Sequence, residues 1–66
     1  MFRFIVTQKD IAIAGFTEYS DACLFFNILR KDQKQNNFYI KIAILELNKF
    51  QKYEEIGSYI NKDKVK

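Results

Sequence analysis

The segment from Phe38 to Leu47 constrains this chain more than any other. Phe38, Ile40, Ile42 and Ile44 fall on one side of it, and Tyr39, Lys41, Ala43, Leu45 and Leu47 on the other. Aromatic and β-branched residues at a period of two specify a β-strand. Both of its sides are largely apolar, so it needs cover on each face and pairing along its edges. Lys41 and Glu46 are its only charges to oppose association at an edge. The chain therefore has to contain a sheet, and the remaining residues have to supply its other strands.

Two neighbours precede it. Phe2–Thr7 is rich in aromatic and β-branched residues, and Ile11–Phe16 alternates large with small side chains. The short polar break Gln8-Lys9-Asp10 makes the pair an antiparallel hairpin, with a turn type that the absence of Gly and Asn leaves open. Thr17 stands at a helix N-cap position, and Glu18 and Asp21 put negative charge in the first turn. Tyr19, Ala22, Cys23, Phe26 and Leu29 form one apolar stripe, which Leu24, Phe25 and Ile28 widen. Arg30 and Lys31 close this helix, and Asp32–Asn37 reads as a polar loop in which Asn36 or Asn37 takes the left-handed conformation.

After the long strand, Asn48 and Gln51 have the spacing of a capping box. A second helix is expected there, with Phe50, Tyr53, Ile56, Gly57 and Ile60 on one side. The expectation is an α+β domain in the order β-β-α-β-α, with a three-stranded antiparallel sheet and two helices. The first strand is central, residues 1–61 form the single domain, and residues 62–66 form a charged tail.

The other contents of the chain narrow its chemistry. With 66 residues, no His and a single Cys, it has no internal disulfide and no zinc site. The missing His also removes the commonest general base near neutral pH. A non-enzymatic protein without cofactor or metal is expected. Cys23 reads as a structural residue, and Glu54 and Glu55, adjacent on a helix, diverge too far to act as an acid–base pair. Gly15 is expected to bend the chain into the helix, and Gly57 to allow close approach of another backbone. The first apolar run stops at Gln8-Lys9-Asp10, short of an export signal, and no stretch approaches the ~20 apolar residues of a membrane span. A cytoplasmic protein that does not engage membranes is expected.

Charge is uneven. Residues 1–33 balance to zero, so the whole net charge of +3 lies in residues 34–66. On the sheet face turned away from the first helix, Arg3, Tyr39, Lys41 and Leu45 are expected to meet a partner, together with Lys49, Lys52 and Lys62 of the basic second helix and tail. The same face, or a sheet edge, is open to a second copy of the chain as a homodimer. A nucleic acid is the alternative partner, with Tyr39 stacking on a base while Arg3 and Lys41 meet phosphates. One aromatic between two cations is less than an RNA-recognition sheet offers, so a protein partner is favoured.

From Phe2 to Leu45, a hairpin is followed by Phe16-Thr17-Glu18-Tyr19-Ser20-Asp21-Ala22 entering a helix, and then by a strand that begins Phe38-Tyr39. This pattern resembles a type of very short phage and mobile-element protein. Several of that type are inhibitors, among them anti-CRISPR proteins and a small phage inhibitor of bacterial RNA polymerase. The resemblance implies a viral protein that binds a host protein or ribonucleoprotein complex sterically and carries no catalytic residues. The basic balance departs from the acidic members that mimic DNA.

Overall fold

A computed structural model describes residues 1–61. The elements are β1 (Phe4–Gln8), β2 (Ile11–Phe16), α1 (Tyr19–Asn36), β3 (Ile42–Leu47) and β4 (Tyr53–Tyr59). One four-stranded sheet has the order β2-β1-β3-β4, and every neighbouring pair is antiparallel. The expected class, three strands with two helices, is therefore corrected: among the described residues there is one helix, and the segment expected to be a second helix is β4.

The reason lies at Asn48. Its side chain accepts hydrogen bonds from the N–H groups of Phe50 (2.8 Å) and Lys52 (3.0 Å), as an N-cap would from the first turn of a helix. The chain does not continue into a helix. Gln51 N–H bonds to Asn48 C=O at 3.1 Å, Gln51 turns left-handed with φ 65, and Asn48 N–H reaches Lys52 C=O at 2.7 Å. This is a three-residue hairpin loop, a β-turn followed by a left-handed residue. It reverses the chain so that β4 lies along β3, from Leu47 opposite Tyr53 to Ile42 opposite Tyr59. The edge that the long apolar strand could not leave open is closed from within the chain.

The first hairpin turns on Lys9 (φ 56) and Asp10 (φ 64), both left-handed. Positive φ at both central residues marks a type I′ turn, whose twist matches that of the strands it joins. Farther along, Val6 pairs with Ala14 and Thr7 with Ala12, leaving Ile13 unopposed as a bulge.

α1 packs on one face of the sheet. Phe4, Val6, Ala22 and Ile44 form the buried cluster, with Phe16, Cys23, Phe25, Phe26 and Leu29 partly buried against it. Ile42 is also fully buried. On the edge strand β2, Ile11 and Ile13 are exposed.

The helix also departs from expectation at both ends. Glu18, not Thr17, is the N-cap, and it makes no side-chain capping bond. At the other end Asp32–Asn36 continue the helix, and Asn37 ends it in the left-handed conformation (φ 56, ψ 39). Gln33 is buried in this extension, and its Oε1 accepts the Ile40 N–H at 3.2 Å. Phe38 N–H bonds to Gln33 C=O at 2.9 Å. Residues 38–41, expected to open the strand, are thus partly held by the end of the helix, and β3 begins at Ile42. Asn61 is buried as well, and its Nδ2 donates to the carbonyls of Gln33 and Phe38, both at 3.2 Å. Residues 62–66, expected to form a charged tail, lie outside the described residues.

Candidate partner-binding surface

The residues expected to meet a partner are not brought together as one set: Arg3 and Lys49 line a common cleft with Leu47, Asn48 and Gln51, and Lys41 lies at the far end of β3 from it. Arg3 lies beside the C-terminal end of β3: its carbonyl accepts Leu47 N–H at 2.9 Å, and its guanidinium meets Glu46 at 3.3 Å. Lys41 stands at the opposite end of β3, where its carbonyl accepts Lys9 N–H at 2.9 Å. The five residues of β1 lie between these ends, which are about 20 Å apart at the ~3.3 Å rise of a strand. Tyr39 is half-buried just before β3. Leu45 is half-buried in the sheet interior, between Ile5 of β1 and Glu55 of β4. Lys49 and Lys52 lie in the β3–β4 loop and not on a helix; the Lys49 ammonium is 5.2 Å from the centre of the Phe50 ring. Lys62 lies outside the described residues.

The sheet face away from α1 is spanned by contacts of its own. Lys41 Nζ is 3.0 Å from Glu55 Oε1, and this carboxylate holds the Lys41 pKa above its usual value, first by the hydrogen bond and then by charge. Near the other end the Tyr53 hydroxyl donates to the Phe2 carbonyl at 2.6 Å. The Phe2 ring packs where a side chain at Gly15 would stand. Between these contacts Thr7 and Ala43 are buried. Arg3 and Lys41, the cations expected to meet phosphate in the nucleic-acid alternative, each stand beside a carboxylate.

A different surface is more open. At about 100° per residue, Leu24 lies about 180° around the helix from the buried Gln33, with Ile28 beside it one turn on. Both are exposed, at 64% and 63%. They line a shallow cleft of about 480 Å³ with Asn27, Arg30, Lys31 and Lys34. Two apolar side chains are thus set among three cations and no carboxylate. Arg30 is steered by hydrogen bonding to Asn27 Oδ1 at 3.2 Å and by its position 5.1 Å from the Tyr59 ring centre. The sequence reading assigned Leu24 and Ile28 to the buried stripe. The available signal was the width of that stripe, since apolar residues around most of a helix cannot all face one sheet.

Comparison with protein-family models, with curated proteins and with solved structures finds no match to this chain. The surface must be read from its own chemistry. Exposed aliphatic groups beside cations contribute burial area and charge steering to an association. Among the described residues, no group of three or more His, Cys, Asp or Glu is placed to hold a metal ion, and no helix is long and apolar enough to cross a membrane.

Proposed function

We propose that this chain is a small non-enzymatic binding module that acts by steric occupation of a host protein or complex, as short inhibitors of the phage type do. The outer face of α1 is the contact surface in this reading. The observation that carries it is the exposure of Leu24 and Ile28, one turn apart, inside a cleft rimmed by Arg30, Lys31 and Lys34. Large aliphatic side chains exposed side by side mark contact surfaces, and the basic rim favours a partner with acidic groups around an apolar centre. This face is preferred to the one containing Tyr39, Lys41 and Leu45 because Lys41 is engaged by Glu55 and Leu45 is enclosed between strands.

The test is affinity capture from host lysate with the wild-type chain and with Leu24→Ser/Ile28→Ser. Both side chains point outward, so the variant should keep the wild-type circular dichroism spectrum. A protein retained by the wild type and weakened about tenfold in the variant is the expected result. Identical capture by the two chains refutes the reading.

A further inference from the structure

We infer that β2 is a self-association edge, and that the chain forms a two-fold dimer by antiparallel pairing of β2 with β2 of a second copy. Among the described residues the sheet ends at β2 on one side and β4 on the other. The two edges differ in chemistry. β4 carries the exposed carboxylates Glu54 and Glu55. β2, Ile11-Ala12-Ile13-Ala14-Gly15-Phe16, has no charge and no proline, and Ile11 and Ile13 on it are 64% and 42% exposed. An uncharged, apolar edge is a template for another strand, whereas charge on an edge opposes pairing. Ala12, Ala14 and Gly15 are small enough to let a second backbone approach.

The bulge selects one register. Phe16 and Ile11 pair with Phe4 and Gln8, on the helix side of β1, while Gly15 and Ala12 pair with Ile5 and Thr7 on the other side. Pairing Ile11 of one copy with Phe16 of the other sets Ala12 opposite Gly15. Each residue then keeps its own face, because the bulge at Ile13 reverses the alternation midway. In that register the six residues of each β2 are paired from end to end, and no charge lies between the two strands. The antiparallel arrangement is also closed, since it uses both β2 edges and leaves only the acidic β4 edges outward. The product is a continuous eight-stranded sheet with both helices on one side, presenting two copies of the Leu24–Ile28 cleft.

Sedimentation equilibrium of the full chain tests this, with expectation of twice the 7.9 kDa chain mass. Ile13→Lys should return the mass to that of one chain while leaving the circular dichroism spectrum unchanged. Ile11→Lys, at the more exposed end of the same edge, should do the same. If Ile13→Lys fails to fold, Ile11→Lys carries the test alone. A single-chain mass at every concentration, or an unweakened dimer in a folded Ile13→Lys or Ile11→Lys variant, would each overturn the inference.

Discussion

Asn48 and Gln51 act on the same loop with opposite sign. The Asn48 carboxamide accepts the N–H groups of Phe50 and Lys52 and donates to Glu54 at 3.0 Å. Asn48→Ala removes all three contacts and should cost about 1–2 kcal/mol, as loss of a capping side chain does. Gln51 holds φ 65 without the freedom of glycine, so Gln51→Gly should gain about 0.5–1 kcal/mol. Urea unfolding of the two variants checks both signs. The two glycines make a second contrast. A Cβ at Gly57 meets open space, and its φ is not positive, so Gly57→Ala should stabilise by about 0.5–1 kcal/mol. A Cβ at Gly15 would overlap the Phe2 ring, so Gly15→Ala should destabilise by about 1–3 kcal/mol. Adding Phe2→Ala to Gly15→Ala should recover most of that loss. Equal effects at the two glycines, measured by thermal unfolding, would contradict this account.

At the level of elements, legibility followed how local the deciding contact is. β1, β2 and β3 announce themselves through period-two runs of Phe, Ile and Val, and their antiparallel order around β1 is the one expected. β4 is ambiguous from its own residues: Tyr53, Ile56 and Ile60 have helical spacing, while Tyr53, Glu55, Gly57 and Tyr59 have strand spacing. An Asn side chain that accepts the N–H two residues on serves a helix start and a hairpin turn equally. What decides is the unpaired edge of β3, which is remote in the fold's logic and was recognised as needing a partner without that partner being found within the chain. The candidate surface was less legible still. Leu24 and Ile28 are as apolar as the core residues beside them, and only the placement of the sheet tells the two sets apart. Gln33 and Asn61 were hidden for the opposite reason, as polar residues of an expected loop and chain end that turn out to be buried. Asn61 ties the end of the β4 segment to the last turn of α1 through the Gln33 carbonyl and to the segment after it through the Phe38 carbonyl. Asn61→Ala leaves those buried acceptors with fewer partners and should cost about 1–3 kcal/mol. Chemical denaturation checks it; a loss no larger than that of an exposed substitution would rule out the structural role.

At the scale of the whole molecule, the two groups with displaced pKa values among the described residues lie near opposite ends of the sheet and act in the same direction with pH. The Tyr19 hydroxyl is raised above its usual value by a hydrogen bond and then charge from Cys23, next by burial, and last by Glu46. Lys41 is raised by its hydrogen bond and charge interaction with Glu55, against a small opposing effect of burial. Each group holds its proton more tightly in the folded chain than in the unfolded one. The unfolded chain therefore releases protons first, from about pH 10, and stability present below that pH is lost as pH rises through the folded values. Both groups are well exposed, so each contribution is small and screened by salt. One helix packed on one sheet should unfold as a single unit, which makes the two effects appear together in the same transition. Unfolding midpoints should fall between pH 9 and about pH 11. Tyr19→Phe and Lys41→Gln should each flatten that fall, and the double variant should flatten it most. A slope unchanged in all three variants would assign the alkaline loss to other groups.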